Sequence, residues 1–392
     1  MTAKIVLKAE GEQYALRGAL NIYNKWIDSI EGKPEPGDPV KILSPRGDLI
    51  GTGLYETHGA IGVRILSFED ENIDRAFILK RLRKALDRRR KLGFKNFFRL
   101  VHAEADMMPG LVVDVYNDIG VIQTSCTGFD KLIPLVAEVL ADLTGVRSVY
   151  VRNDLRSRRE IGLETYRSKV LGEDNPKTII YEGKAAFEVD VIKGQKTGFY
   201  IDQRTNRLEL ENYSWEGCKV LDLFSYTGGF GIHAALKGAE VTFVDESLYA
   251  IETCKKNAKI NDVADRCKFV QSRVKEFLQS NKEKFDIVIA DPPALVPSRE
   301  YIKNGVKAYF ALNLNAMKTL KPGGLLFTSS CSHFVSVRFL KNIVIDSAKK
   351  LRLKPLFLGG VRGASPCHPV DPKNSGTTYL KAFFLILDAL KH

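Results

Sequence analysis

The 392-residue sequence has no apolar run of membrane length; the longest near its end, Ala382–Leu387, is far too short to span a bilayer. The opening stretch Met1–Glu10 lacks the apolar core of a secretory signal. Its six cysteines (Cys126, Cys218, Cys254, Cys267, Cys331, Cys367) are scattered without a CxxC pair. That pattern argues against a zinc site and a disulfide framework, and it suits a reducing cytosol. Acidic charge is in short supply: 47 Asp and Glu face 59 Lys and Arg, a net charge of +12. Such a balance suggests a polyanionic partner, although alone it speaks only to solubility and association. The expectation is a cytoplasmic protein with no membrane partner and no metal.

What is present divides into three parts, since the length exceeds one ordinary core. Residues 1–70 read as a small β domain. Turns at Pro36-Gly37-Asp38-Pro39 and Ser44-Pro45-Arg46-Gly47-Asp48 separate short apolar strands at regular spacing. The upstream stretch Ala19–Ile30 reads as helical. Residues 71–182 form a second, α+β unit that opens on a helix over Asn72–Leu92. Between Lys80 and Arg99 there are ten basic residues against one acid, Asp87. A charge run is usually a solvated face, but a one-sign run on a helix favours a phosphate-contacting surface. Arg83, Lys84, Arg88, Arg89 and Arg90 are its candidate RNA-binding residues, with Arg156 and Arg158 from a later loop. Contacts of this kind position a nucleic acid without reading its sequence.

Residues 183–392 alternate strand and helix, the pattern of a parallel, doubly wound sheet. One strand reads Phe285-Asp-Ile-Val-Ile-Ala and stops on Asp291-Pro292-Pro293. The prolines cannot continue a ladder, so the acid lies at the carboxyl end of a buried strand, where open α/β sheets place ligands. An earlier strand ends Asp222-Leu-Phe-Ser225-Tyr-Thr227-Gly228-Gly229-Phe-Gly231 and opens a helix. Glycines there let a ligand approach the backbone. The next strand ends at Asp245, placed to take ribose hydroxyls. These features fit NAD and S-adenosylmethionine (SAM) alike. The loop is GGxG rather than GxGxxG, and Asp222 would repel a pyrophosphate and welcome an ammonium, which favours SAM.

The Gly loop, the acid at 245, Asp291-Pro-Pro and the turn Leu320-Lys-Pro-Gly-Gly324 together resemble the class I SAM-dependent methyltransferases. Pro36–Val40 and Gly47–Gly53 resemble the PUA domain, a small RNA-binding barrel. From about Gly37 to Leu387 the chain resembles the ribosomal RNA large subunit methyltransferase I family. The supporting stretches include Glu104-Ala-Asp106, Arg152-Asn153-Asp154, Gly194–Arg204, Ser330-Cys331-Ser332-His333 and Tyr379-Leu380-Lys381. The resemblance implies an α/β fold: a class I Rossmann-like methyltransferase sheet at the C-terminus, preceded by a small β-barrel PUA domain and a central α+β domain. It implies SAM as cofactor, held by Asp222, Ser225, Thr227, Gly228, Gly229, Asp245, Asp291, Pro292, Tyr200 and Gln203. It further implies 5-methylcytosine formation in 23S rRNA, with Cys331 and Asp291 as catalytic residues, and leaves a homodimer open.

Cytosine carbon 5 is a poor nucleophile, and a Cys331 thiolate adding at carbon 6 would activate it. Two other readings stay open: methylation of guanine nitrogen 7, which needs no cysteine, and a non-catalytic RNA-binding protein. The chain departs from the family at Ser272-Arg273, where Gly-Asp is common, at Arg17–Asn21, which lacks Pro-Trp, and at Cys367, where Asp is frequent.

Overall fold

The computed structural model describes residues 2–213 and 215–390. The chain divides into two compact units. The first comprises Met1–Ile180, Val189–Ile201 and Pro366–Thr377; the second comprises Tyr181–Glu188, Asp202–Ser365 and Thr378–His392. Both expected N-terminal domains thus fall in one unit, joined by two stretches of the expected C-terminal domain. Buried polar contacts knit them. Glu56 accepts from the Thr127 amide and hydroxyl at 2.9 and 2.8 Å. Arg152 donates to the carbonyls of Val191 and Gly194 at 2.7 and 2.9 Å.

The first unit holds a six-stranded sheet within residues 4–67 and a five-stranded sheet within residues 97–172. Ala19–Ile30 is not a helix. It forms a strand Asn21–Tyr23, a single 3-10 turn and a strand Ile27–Glu31. Ile22 alone is buried between two outward neighbours, the period of a strand, and it fills the core beside Ile5, Val63 and Ile65. The helix in this region is Ala9–Leu16. The basic helix runs Arg75–Lys91, with Asp74 as its N-cap accepting from Phe77 N at 3.0 Å. Its apolar stripe, Phe77, Ile78, Leu82, Ala85 and Leu86, is buried.

In the second unit we number the sheet strands β1 (Lys219–Leu223), β2 (Glu240–Asp245), β3 (Cys267–Gln271), β4 (Phe285–Ala290), β5 (Leu320–Ser330), β6 (Leu353–Phe357) and β7 (Lys381–Ala389). Their order across the sheet is β3-β2-β1-β4-β5-β7-β6. Strand order reverses between β1 and β4, so ligand space opens beside their carboxyl ends. The sheet is not wholly parallel as expected: β7 runs antiparallel to both β5 and β6. The apolar run Ala382–Leu387, too short for a membrane, is this buried strand. The Lys321-Pro-Gly-Gly324 turn is a bulge within β5, where the register to β4 jumps from Phe285↔Leu320 to Ile287↔Leu325. Among the described residues no helix is long and apolar enough to cross a membrane.

Candidate active site

Three acids stand at the carboxyl ends of neighbouring strands because three apolar strands carry them there. In β1, Val220, Leu221 and Leu223 are fully buried, and Asp222 is buried among them. One Asp222 oxygen accepts from Gly231 N at 2.9 Å, and burial pushes its carboxyl up to about 8. After β2, Asp245 accepts from Tyr226 N and Ser247 N, each at 2.9 Å, one bond per oxygen. A carboxylate with four lone pairs can take a further donor beside these. Burial also raises the Asp245 carboxyl. After β4, Asp291 accepts from Gln203 Nε2 at 2.7 Å and from the Ser329 hydroxyl. Burial pushes it up to about 6. Both bonds fall on Oδ1, so Oδ2 remains available.

Between β1 and the helix Gly229–Leu236 the chain turns through positive φ at Phe224, Tyr226 and Gly228. At Gly228 a Cβ would meet Cys254 Sγ at 2.7 Å, so only glycine serves there. The turn buries the Ser225 and Thr227 hydroxyls without a hydrogen-bond partner among the described residues. Buried hydroxyls left without a hydrogen bond are costly, and a polar ligand would relieve them.

These observations test whether SAM fits. A cluster of acids held up by burial suits an ammonium, the two orphaned hydroxyls suit a polar amino-acid end, and Asp245 suits a ribose diol. Asp222, Ser225, Thr227, Gly228, Gly229, Asp245, Asp291, Pro292 and Gln203 all belong to the second unit, as does Cys331. Tyr200 belongs to the first, where its hydroxyl donates to Gln195. Cys331 follows β5 directly, half-buried, with Sγ 3.9 Å from the Pro292 carbonyl. Arg273, standing where an acid is usual, is a surface residue beside Glu246 and Glu276.

Sequence reasoning missed Asp202. It is buried, accepts from Tyr379 Oη at 2.7 Å through one oxygen and leaves the other orphaned. Its charge is among those that raise Asp291. Asp202 stands one residue before Gln203, and only the folded chain brings it near Asp291.

Two of the expected RNA-binding arginines are corrected. Arg89 is fully buried and clamps Asp106 through two bonds of 2.6 Å. Arg158 is likewise buried, holding Asp130 at 2.9 and 2.8 Å. Neither presents charge to a phosphate. Arg88 is half-buried and also bonds Asp106, at 2.8 Å. Arg83, Lys84 and Arg90 are exposed, and Arg156 is exposed and paired with Glu160. Lys80, Arg83, Lys84, Asp87, Arg88 and Lys91 line a shallow open depression along one helix face. Their spacing of three and four residues makes that face continuous.

Comparison with known proteins places this geometry. Residues 5–68 match the PUA-like domain, and residues 214–376 match a methyltransferase domain. A Methanocaldococcus jannaschii protein, provisionally named a ribosomal RNA large subunit methyltransferase, is 39% identical, with 100% of each chain covered. The ribosomal RNA large subunit methyltransferase I of Aliivibrio fischeri is 34% identical over 98% of this chain and 99% of that one. Two solved structures share the fold. A Streptococcus mutans protein provisionally named a SAM-dependent methyltransferase superposes with a TM-score of 0.80 at 21% identity, over 98% of this chain and 100% of that chain. A methyltransferase-type structure complexed with S-adenosylhomocysteine gives 0.82 at 20%, with the same coverage. With a SAM-dependent methyltransferase sheet at its C-terminus and a full-length match to these relatives, the chain belongs to the ribosomal RNA large subunit methyltransferase I family.

Proposed function

We propose that the protein is a cytoplasmic rRNA methyltransferase that forms 5-methylcytosine in 23S rRNA, with Cys331 as nucleophile and Asp291 as the residue that holds the base. The observation carrying this reading is the pairing of β4 with β5. Ala290 lies opposite Thr328, so Asp291 and Cys331 leave adjacent strands at the same sheet edge. Bound SAM supplies an electrophilic methyl group. The Cys331 thiolate adds to cytosine carbon 6, and the electron pair moves to carbon 5, which takes the methyl. Loss of the carbon 5 proton to a base returns that pair and expels Sγ.

In this reading Asp291 Oδ2 accepts from the exocyclic amino group on the base edge. With its carboxyl held up at about 6, it is a carboxylate acceptor above that pH and protonated below it. Methyl transfer is therefore expected to fall as pH drops through about 6. Asp291→Asn removes that limb of the pH profile and lowers kcat by about 10²–10⁴. A profile unchanged in the variant contradicts the assignment.

The chemistry is tested by trapping. With rRNA carrying 5-fluorocytosine, carbon 5 has no proton to release, so the adduct persists. A protein–RNA band surviving denaturation, dependent on SAM and on Cys331, is the expected result. Its absence under conditions where native rRNA is methylated favours direct attack by a nitrogen lone pair, as at guanine nitrogen 7.

We further propose that the three parts 1–70, 71–182 and 183–392 divide the work, the first two binding RNA and the third carrying the chemistry. The exposed face with Arg83, Lys84 and Arg90 is the RNA phosphate contact in this reading, with Arg156 at its margin. Reversing the charge of all three should weaken RNA binding tenfold or more. The slope of log affinity against log salt should fall by roughly 2–3. Arg89→Ala behaves differently: it removes two of the bonds that hold buried Asp106, leaving Arg88 as its cation, and is expected to cost about 1–3 kcal/mol of stability. Equal thermal stability of Arg89→Ala and Arg90→Ala contradicts this division of roles.

A further inference from the structure

Lys381 opens β7, directly opposite Ser330 at the end of β5. Ser330 is the residue before Cys331. The Lys381 ammonium donates to the carbonyl of Ser332, the residue after it, at 2.6 Å. The lysine therefore meets the chain on both sides of Cys331. It is only 5% exposed. A buried ammonium is costly unless a negative group faces it. Among the described residues no carboxylate pairs with it. Burial lowers Lys381 to about 8, and the Cys331 charge is the one influence that draws it back up.

We propose that Lys381 is a positioning residue whose ammonium holds Cys331 as a thiolate, fixed in place by its strand pairing to Ser330 and its hydrogen bond to the Ser332 carbonyl. The inference rests on the reading of Cys331 as nucleophile for its purpose, but its test does not depend on that reading. Of the other titratable groups at this corner, Tyr309, Asp291 and Asp202 carry no positive charge. Tyr309 Oη accepts from Ser330 Oγ at 2.8 Å and shares a hydrogen bond with Ser332 Oγ at 3.0 Å, and burial raises its phenol, keeping it neutral. Asp291, bonded to Ser329, is negative above about pH 6 and opposes a thiolate. His333 is exposed and packs its ring on Tyr379 at 5.8 Å. Asp202, bonded to Tyr379, adds negative charge to the same region. A thiolate in these surroundings needs a fixed cation, and Lys381, tied to the residues on both sides of Cys331, supplies one. Of its three N–H bonds, the Ser332 carbonyl uses one.

The test is the rate of iodoacetamide alkylation at Cys331, read by peptide mass spectrometry against pH in the full chain. In the wild type the midpoint is expected below the ordinary free-thiol value of about 8.5. In Lys381→Met the midpoint rises by about one unit or more, a roughly tenfold slower reaction at neutral pH. Lys381→Arg keeps the wild-type profile. A wild-type midpoint at or above the ordinary value overturns the proposal, whether or not the variants fold. So does a Lys381→Met profile that overlays the wild type. Because alkylation needs no RNA, an active Cys331→Ala enzyme would retire the covalent mechanism without deciding this point.

Discussion

Cys331→Ala is expected to lose methyl transfer by about 10³-fold or more, with SAM binding retained. The size follows from the chemistry. Without addition at carbon 6, carbon 5 of cytosine has no electron pair to offer the methyl group. The retained binding follows from the structure. Cys331 leaves β5, whereas the orphaned hydroxyls and Asp222 lie at the end of β1. The sulfur is half-buried, with the Pro292 carbonyl 3.9 Å away, and truncation should disturb little packing. Steady-state methylation and SAM binding measured by calorimetry on one preparation separate the two effects. A Cys331→Ala enzyme with normal turnover would falsify the covalent route while leaving the fold and cofactor intact.

Asp222→Asn is expected to move stability and cofactor affinity in opposite directions. Burial raises the Asp222 carboxyl from 3.8 to about 8. At neutral pH the folded protein therefore keeps a proton that the unfolded chain has released. A carboxyl raised in the folded state lowers stability as pH climbs, here across the window from about 4 to about 8. Asparagine is nearly isosteric, can still accept from Gly231 N, and does not ionise. The SAM-free variant should gain on the order of 1–3 kcal/mol at pH 7 and lose much of this pH dependence. The same change removes the negative charge offered to an ammonium, so SAM affinity should fall tenfold or more, about 1.4 kcal/mol per decade. In the wild type, SAM should bind more tightly as pH rises towards 8, because binding must expel the proton. A variant that loses both stability and affinity makes Asp222 a structural residue. One that binds SAM normally removes it from the site.

Much of the second unit was legible because its signals are local. Uninterrupted apolar strands ending on an acid, a glycine turn before a helix and two prolines after Asp291 each mark where a strand ends. Laid in order, they fix β1 to β5. The end of the sheet was not legible. Residues Lys381–Ala389 read as a short apolar run, which fits a strand in either direction. Only pairing with β5 sets it antiparallel and brings Lys381 beside Cys331.

The basic helix shows the opposite failure, where the signal was present and unused. Arg89 stands seven residues after Leu82, four after Ala85 and three after Leu86, squarely on the buried stripe. Charge argued for the surface, but helical position argued for the core, and a bidentate bond to Asp106 makes burial tolerable. Arg158 gave no such warning, because its partner Asp130 lies 28 residues away in sequence. Ala19–Ile30 was misread because it holds a strand too short to show alternation beyond Ile22.

The central claim is cytosine-5 methylation of rRNA, and the most direct measurement is product identity. Purified protein would be incubated with unmodified rRNA and SAM carrying a tritiated methyl group, and the RNA digested to nucleosides. The account predicts label in 5-methylcytidine, lost with Cys331→Ala. Label in 7-methylguanosine, or in any product whose formation survives Cys331→Ala, contradicts it.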